Sequence, residues 1–421
     1  MGLATKYQSG ESLGSRAYRW DNQGVITELG NLGLSSLGET TMAANWINGN
    51  GLIVGSVEKY PAGGPSLGKR AVYWDATGAA IELGNLGTNS SGHASGGATA
   101  ANSSGVIVGA VNSYGTSGTS YGSRAVRWDS SGNAIALGSI NSTPPQTYSS
   151  SAAAINSSGV SIGFESKFVS SVFKGLRPVR WDASGSAAEM ENLGVTSRGD
   201  TQAFPIAIND PGISVGVAEK YVGIYTDSVA VRWDASGAIE ELGHLDFDSN
   251  GLAASSAVDI NSVGTAVGSA KVIFPTSSGF RAVRWDSGGT AATALGNLPI
   301  STGNWTSSAS AITDDGFIVG RVSGRAVAWD INGHAIDLNS LLSPNDASAW
   351  TLTEAHAIND FGLIAGTGNY DPDGAGAQIG YRRLYLLDAA GQLPEPATLG
   401  LLAFGVLGLL KRQRPKRSKQ I

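Results

Sequence analysis

The sequence predicts an all-β chain that folds as a β-propeller of about eight, alternatively seven, four-stranded blades, with the first and last blades incomplete. Two repeating features indicate this fold. A Trp-Asp pair recurs at intervals of about 52 residues, and two turn motifs recur with the same period. Short apolar runs flank the turns, as expected of strands joined by tight turns. The length of 421 residues exceeds that of one ordinary core and also favours a repeat architecture.

The Trp-Asp pair marks the third strand of each repeat. Each copy closes a short apolar run such as Arg124-Ala125-Val126-Arg127, and an eighth copy has Leu387 in place of Trp. Successive tryptophans are separated by 54, 54, 53, 52, 52 and 44 residues. We predict that these side chains pack between neighbouring blades. They are Trp20, Trp74, Trp128, Trp181, Trp233, Trp285 and Trp329.

Two turn motifs alternate along the chain. Asp-x-x-Gly follows the Trp position in all eight copies, as in Asp75 to Gly78. A type I turn favours Asp at its first position and Gly at its last, so we interpret these carboxylates as turn formers without a catalytic role. The second motif, Asn-x-x-Gly, precedes a β-rich run. It begins at Asn48, Asn102, Asn156, Asn209, Asn261 and Asn359, with Thr313 as a variant.

Each repeat therefore contains four strands, which we call a, b, c and d. Strand a ends at the Asn, strand b at the Gly that closes the β-rich run, strand c at the Trp, and strand d near a Leu-Gly pair. Small alanines in strand a suit the crowded innermost position. A β-solenoid is the alternative, although its rungs are usually shorter than 52 residues. We assign residues 1–391 to this repeat body and residues 392–421 to a separate C-terminal segment.

The two ends of the body are expected to be incomplete. Gly2 to Tyr7 matches Gly55 to Tyr60, so the chain enters at the end of a strand b. At the other end, Gln392-Leu393-Pro394 stands where strand d of the last unit is expected. Because propellers commonly close by pairing strands from both termini, we expect the closing strands and a signal peptide upstream of Met1.

The repeat resembles a known family of bacterial extracellular proteins, the HAF repeats. The matching segments are Ala207–Gly216 and Ala230–Asp234, and the resemblance covers nearly the whole body. The His-Ala-Phe triplet of that family usually reads Arg-Ala-Val here. The chain is not a WD40 array, because its Gly-His pairs keep no register with Trp-Asp. The resemblance implies a location at the cell surface more than any activity.

The C-terminal segment has three parts. Pro394-Glu395-Pro396 is followed by an apolar run from Ala397 to Leu410 and by a basic tail over 411–421. A helix of this length would reach roughly 21 Å, which is short of the roughly 30 Å hydrocarbon core of a bilayer. It would be a marginal membrane anchor with its tail on the cytoplasmic side. A buried core helix is the alternative, but the proline and basic flanks disfavour it.

This order of parts resembles the PEP-CTERM sorting signal. The resemblance implies that Pro394, Glu395 and Pro396 are recognised by an exosortase, a transpeptidase-like membrane enzyme that cleaves near this motif. It implies export to the cell envelope or beyond, with transient or retained membrane anchoring through residues 397–410. It also implies a Gram-negative bacterium that makes exopolysaccharide.

The charge distribution excludes nucleic acid as a partner. The chain carries a formal net charge of −6, but its last eleven residues hold six basic side chains and no acidic one. The remainder has 22 basic against 34 acidic groups, a net charge of −12, which repels phosphate. The chain has no cysteine, so disulfides and thiolate sites are excluded.

No catalytic constellation is evident, and we predict that the chain is not an enzyme. The four histidines lack a His or Cys neighbour at metal-ligand spacing, and no Gly-x-Ser-x-Gly motif occurs. Asp246, Asp248 and Asn250 match the first half of a calcium loop, but Ala257 stands where such a loop has Glu. This segment is either a calcium site or a plain d–a loop, and we expect no other cofactor.

The b–c and d–a connections vary in length and are predicted to share one face of the propeller, where a ligand would bind. We call it the variable face; it comprises 60–69, 86–96, 111–122, 141–150, 243–252, 271–280 and 299–306. Aromatic residues there that could stack on sugars, or simply pack the loops, are Tyr60, Tyr114, Tyr121, Tyr221, Phe247 and Trp305.

The sequence as a whole favours a non-enzymatic exported surface or matrix protein that contacts polysaccharide or other cells. An exported carbohydrate-active hydrolase or lyase is the alternative, and it would need two carboxylates that converge on the variable face. A scaffold for protein partners is a third hypothesis, which a large apolar patch on that face would support.

Overall fold

The computed structural model describes residues 1–21, 24–142, 147–222, 225–275, 277–299, 305–371 and 381–393. Within these ranges the chain forms eight antiparallel sheets, each made of strands that are consecutive in sequence. This arrangement confirms the predicted all-β propeller and its eight blades. The first and eighth sheets have three described strands and the other six have four.

The strands are short and follow the predicted order a, b, c, d in each sheet. The first sheet lacks strand a and contains β1 (Gly2–Gln8), β2 (Glu11–Trp20) and β3 (Ile26–Glu28). The six four-stranded sheets contain β4 (Met42–Ile47), β5 (Ile53–Glu58), β6 (Lys69–Trp74) and β7 (Ala80–Glu82); β8 (Gly96–Ala101), β9 (Ile107–Tyr114), β10 (Ser120–Trp128) and β11 (Ala134–Ala136); β12 (Ser150–Ile155), β13 (Ser161–Val169), β14 (Val172–Trp181) and β15 (Ala187–Glu189); β16 (Ala203–Ile208), β17 (Ser214–Val222), β18 (Tyr225–Trp233) and β19 (Ile239–Glu241); β20 (Ser255–Ile260), β21 (Ala266–Ile273), β22 (Ser278–Trp285) and β23 (Ala292–Ala294); β24 (Ser307–Ile312), β25 (Ile318–Val322), β26 (Arg325–Trp329) and β27 (Ala335–Asp337). The eighth sheet contains β28 (Trp350–Ile358), β29 (Leu363–Tyr370) and β30 (Tyr381–Asp388).

One helical connection interrupts this pattern between the seventh and eighth sheets. A 3₁₀ turn, Leu338–Leu341, precedes the short helix α1 (Pro344–Ala349). Ser343 caps α1 by accepting a hydrogen bond from the Asp346 N–H, and proline occupies its first turn, where a missing N–H costs nothing. This helical segment is the d–a connection between the two sheets.

The predicted Asp-x-x-Gly turn forms in the first seven copies. The N–H of the Gly donates to the carbonyl of the Asp, at 2.9 Å between Gly78 and Asp75. Gly78 has a φ of +89°, a conformation that favours glycine. The eighth copy differs, because Gln392 and Leu393 donate instead to the carbonyl of Ala389. The prediction of eight equivalent turns is therefore wrong at Asp388, where the chain leaves the path of a strand d.

The described tryptophans of the repeat lie between neighbouring sheets. Trp128 packs with Leu83 and Ala98, which belong to strands on either side of one inter-sheet boundary. Trp181 is fully buried, and its indole N–H donates to the carbonyl of Gly138 in the preceding sheet at 2.8 Å. Trp20 is only half-buried, because the eighth sheet has no described strand d to cover it.

The C-terminal predictions fall largely outside the described residues. The apolar helix predicted over 397–410, the motif residues 394–396 and the basic tail all follow the last described residue, Leu393. In the part of the chain that the structure describes, no helix has the length and apolar character needed to span a membrane.

Candidate functional site

The variable face carries both the b–c hairpins and the d–a connections, because antiparallel pairing places them at the same end of every sheet. The hairpins differ in height. In the fourth sheet, paired residues continue to Val169 and Val172, whereas in the seventh they stop at Val322 and Arg325. Four more residues in a strand extend it by roughly 13 Å. The hairpins are short in sheets two and seven and raised in sheets three to six, as they also are in sheets one and eight. We call the raised hairpins of sheets four to six the wall.

Exposed aromatic side chains lie along this wall. Phe173 and Tyr225 stand at the hairpin tips of sheets four and five, and Phe280 lies on β22 in sheet six. Phe247 lies on the connection between sheets five and six and is 59% exposed. The sequence singled out only Phe247. In the sequence the other three look like ordinary strand residues. Their exposure follows from the length of the hairpins that carry them, which the local sequence does not show.

The other predicted aromatic residues pack within the loops. The Tyr221 hydroxyl donates to Glu219 Oε2 at 2.7 Å, and the Arg281 guanidinium lies 3.0 Å from the centre of the Trp305 ring. Tyr60, Tyr114 and Tyr121 are half-buried. The contacts of Tyr221 and Trp305 and the partial burial of the other three tyrosines favour loop packing for all five residues. Of the six predicted aromatic residues, Phe247 is the exposed one.

A recurring arginine anchors the d–a connections, a role that the sequence reasoning missed. Arg70 is 4% exposed; its two terminal nitrogens donate to the carbonyls of Ala94 and Gly92 at 2.6 and 3.0 Å. Arg16 binds the carbonyl of Thr40 in the same way at 2.7 Å. The detectable signal was an Arg four residues before the Trp in most copies. These buried cations hold the loops of the variable face in place.

The acid at the end of strand d completes this anchor. Glu82 accepts from Arg70 Nε at 3.1 Å and from Lys59 Nζ at 2.6 Å, so one carboxylate bridges strands b and c. Lys6, Arg16 and Glu28 form the same triad in the first sheet. In both sheets the carboxylate ties a lysine of strand b to the anchoring arginine of strand c.

Glu165 is a buried carboxylate on this face. It is 0% exposed, and its Oε1 accepts from Ser139 Oγ and from Asn141 Nδ2, the latter at 2.7 Å. Its Oε2 has no hydrogen-bond partner among the described residues, and burial raises the pKa of Glu165. The bonds tie the start of the 139–141 segment to β13. Sequence reasoning missed this site, because Glu165 sits inside an unremarkable β-rich run.

The predicted calcium segment is occupied by other contacts. Asp248 Oδ2 makes a salt bridge with Lys271 Nζ at 2.7 Å, which lowers the pKa of Asp248, and Asp246 accepts from the Ile273 N–H at 2.9 Å. Asn250 donates its own N–H to Asp248 Oδ1. Within the described ranges no group of three or more His, Cys, Asp or Glu residues could hold a metal. Calcium at this segment would have to displace the Lys271 ammonium.

The four histidines lie in different parts of the propeller. His93 lies in the connection before the third sheet, and His244 contacts Phe247 with ring centres 4.0 Å apart. His334 lies 3.0 Å from Asp330 in a c–d turn on the opposite face, and His356 faces Thr367 on an inner strand. Nothing in these positions brings the histidines together.

A buried acid lies near the propeller axis. Asp259, on β20, accepts from the N–H groups of Ile260 and Ile312, and burial raises its pKa to about 6. Both bonds are to backbone groups of inner strands, so Asp259 links the sixth and seventh sheets. Strand a of most other blades has alanine at this place, as at Ala207 and Ala311, and the second sheet has Trp46.

The first and eighth sheets leave a cavity between them. Its volume is about 980 Å³, and its walls come from β1, β2 and β3 on one side and from β29 and β30 on the other. Trp20 and Leu384 face each other across it.

Comparison with protein families identifies one motif. Residues 392–414 match the PEP-CTERM protein-sorting motif, which includes Pro394, Glu395 and Pro396. The motif implies recognition by an exosortase, membrane association and export to the cell envelope. The resemblance to the HAF repeats stays a prediction, and no curated protein matches the chain.

Several solved structures have a similar shape at low identity. Puromycin hydrolase is 13% identical with a TM-score of 0.44, the match covering 83% of this chain and 52% of that protein. The β-propeller domain of the Trilobed protease from Pyrococcus furiosus is 11% identical (TM-score 0.44; 82% and 93% covered), and the polysaccharide lyase Uly1 is 10% identical (TM-score 0.43; 91% and 94% covered). The chain spans about half the length of the puromycin hydrolase. These likenesses concern the shape of the chain and say nothing of its activity.

Proposed function

We propose that the chain is a non-enzymatic exported surface or matrix protein whose variable face binds extracellular polysaccharide. The observation that supports this most is the row of exposed aromatic side chains on the wall of sheets four to six, Phe173, Tyr225, Phe247 and Phe280. Aromatic faces stack on the apolar faces of sugar rings and gain both buried area and favourable contacts. Such residues on raised hairpins form a surface suited to an extended chain of sugars.

Anchoring of the loops supports binding in preference to catalysis. Ligand affinity rises when loops are already fixed in the bound conformation, because less conformational entropy is lost. Arg16 and Arg70 fix the connections by carbonyl contacts, and Glu28 and Glu82 are neutralised by neighbouring cations. The hydrolase or lyase alternative needs a pair of free acids at this face, and these triads do not supply one.

The C-terminal motif supplies the route to the surface in this proposal. An exosortase would recognise Pro394-Glu395-Pro396 and cleave nearby, leaving the propeller at the envelope or in the matrix. The apolar run 397–410 would hold the chain at the inner membrane until that step. The propeller would then meet polysaccharide outside the cell.

A retention assay tests the binding function. Purified chain is passed over immobilised exopolysaccharide from the producing bacterium, and the polysaccharide is afterwards sized to detect cleavage. We expect the chain to be retained and the polymer length to stay unchanged. Absence of retention would remove the polysaccharide proposal. Shortening of the polymer, with a heat-inactivated sample as the control, would replace it with the hydrolase or lyase alternative.

A further inference from the structure

On the hairpin of sheet six, a lysine lies beside an exposed ring. Lys271 is directly opposite Phe280 in the antiparallel pair of β21 and β22, so the two side chains share one face of the sheet. The ammonium of Lys271 makes a salt bridge with Asp248 at 2.7 Å, and 19% of the Lys271 side chain is exposed. Asp248 directly follows Phe247 in the sequence. The positive charge next to these rings is therefore already matched by a carboxylate.

The hairpin of sheet five repeats this arrangement. Tyr225 lies opposite Val222, which is two positions along β17 from Lys220, so Tyr225 and Lys220 share one face of the sheet. The ammonium of Lys220 lies 2.8 Å from each carboxylate oxygen of Glu241. This cation too is held by an acid of the protein and is not left for a ligand.

The hairpin of sheet four also has its lysine paired. Lys174 directly follows Phe173, and its ammonium lies 3.6 Å from Asp200 Oδ1, with 18% of the Lys174 side chain exposed. Lys174 also donates to the carbonyl of Arg198. Arg198 is itself exposed, so it is a cation of this region that a ligand can reach.

Carboxylates without a salt bridge offset Arg198. Among the described residues, Asp246 accepts from the Ile273 N–H at 2.9 Å, and Glu219 accepts from the Tyr221 hydroxyl at 2.7 Å. Asp246 directly precedes Phe247, so one of the exposed rings has an acid on either side in the sequence. A polymer with a carboxylate on every sugar would meet these like charges, with Arg198 to balance its own.

We propose that the wall selects an uncharged polysaccharide and discriminates against polymers of acidic sugars. Neutral sugars need ring stacking and hydrogen bonds but no opposite charge from the protein. An acidic polymer would have to compete for the ion-paired lysines, Lys174, Lys220 and Lys271, or lie beside Asp246 without a partner. The proposal rests on polysaccharide binding by the variable face and adds the class of sugar that is bound.

Exopolysaccharide separated by charge tests this selectivity. Anion exchange divides the exopolysaccharide of the producing bacterium into a neutral and an acidic fraction, and each is passed over the immobilised full chain. We expect the neutral fraction to bind at least about tenfold more tightly, with an affinity that changes by less than about twofold between about 50 and about 500 mM salt. Equal or tighter binding of the acidic fraction would overturn the proposal and leave polysaccharide binding intact. Retention of neither fraction would overturn the proposed function itself.

A charge variant tests whether the selectivity arises at the wall. Asp248→Asn keeps a side-chain oxygen for the N–H groups of Asn250 and Leu252 but removes the charge that is paired with Lys271. We expect this variant to bind polygalacturonate, a polymer with one carboxylate per sugar, about threefold more tightly than the unaltered chain. Unchanged binding of polygalacturonate by the folded variant would overturn the proposal.

Two further variants complete the experiment. Asp315→Asn removes the same charge from an exposed a–b turn on the opposite face and should leave the binding of polygalacturonate unchanged. An equal gain in Asp315→Asn would show that net charge is responsible and not the wall, and would overturn the proposal. Asp200→Asn frees Lys174 and should give the same gain as Asp248→Asn, which serves if the latter does not fold.

Discussion

The side-chain amide of Asn102 donates a hydrogen bond to the carbonyl of Asn156 at 3.1 Å, across the boundary between the third and fourth sheets. Asn156 in turn donates to the carbonyl of Asn209 at 3.3 Å, and Asn209 to that of Asn261 at 3.1 Å. Each of these Asn residues also closes its own a–b turn through Oδ1, as Asn156 does with the Val160 N–H. One residue type therefore shapes the turn and links neighbouring sheets around the axis.

The chain of Asn contacts ends at the variant position. Asn261 donates to the carbonyl of Thr313 at 3.2 Å, but the hydroxyl of Thr313 is directed to Phe317 in its own turn. The next link uses Asp360, which accepts from the Asp314 N–H at 3.2 Å. The seventh and eighth sheets are thus joined through the carboxylate of Asp360, which accepts the bond, because Thr313 has no side-chain amide to donate one.

Replacing Asn156 by Ala should destabilise the propeller by about 2 kcal/mol, because one turn contact and one inter-sheet contact of a buried amide are lost together. Asn156→Asp keeps the acceptor for the Val160 N–H but loses the donor to Asn209. At neutral pH it should destabilise the propeller at least as much, because it also puts a charge at a buried position. Chemical denaturation measures both. If Asn156→Ala lowers the free energy of unfolding by less than about 0.5 kcal/mol, the contacts between these turns do not stabilise the propeller.

Trp181→Phe should lower the free energy of unfolding by about 2 kcal/mol, because the hydrogen bond to Gly138 is lost and a small cavity is left. Trp20→Phe is the matched control, because Trp20 occupies the same repeat position beside the open cavity and should cost clearly less. Thermal unfolding of both variants gives the comparison. Equal losses would mean that the indole N–H contact contributes little to inter-sheet packing.

Much of the fold could be predicted because its signals are local. Asp75 and Gly78, or Asn102 and Gly105, specify turns within four residues, and their shared period reveals the blades. The anchoring role of Arg70 could not be predicted, since Ala94 lies 24 residues away and only the folded sheet brings them together. Glu165 was missed for the same reason, because its partners Ser139 and Asn141 belong to the preceding connection.

Asp259 should make stability depend on pH. Its pKa of about 6 in the fold lies above the ordinary value of 3.8. The folded state therefore holds its proton more tightly, and the contribution of this group to stability falls as pH rises from about 4 to about 6. Relative to Asp259→Asn, the unaltered chain should lose about 2–3 kcal/mol over that window. Melting temperatures of both chains from pH 4 to 7 provide the measurement, and parallel curves would contradict the assignment.

Calcium should give no heat in a calorimetric titration of the unaltered chain, because the Lys271 ammonium already occupies Asp248. Lys271→Met removes that cation and tests whether Asp246, Asp248 and Asn250 can bind calcium once free. Saturable heat with the unaltered chain would show that the segment is a calcium site after all. Magnesium under the same conditions is the control for non-specific binding.

Binding to exopolysaccharide with the aromatic wall altered tests the central proposal most directly. The double variant Phe173→Ala and Phe247→Ala removes two exposed rings from the variable face, and Phe361→Ala removes an 81% exposed ring from an a–b turn on the opposite face. We predict at least about tenfold weaker binding for the double variant, at roughly 1 kcal/mol or more for each stacked ring, and unchanged binding for Phe361→Ala. Equal affinity of all three chains, or loss only in Phe361→Ala, would contradict polysaccharide recognition by the variable face.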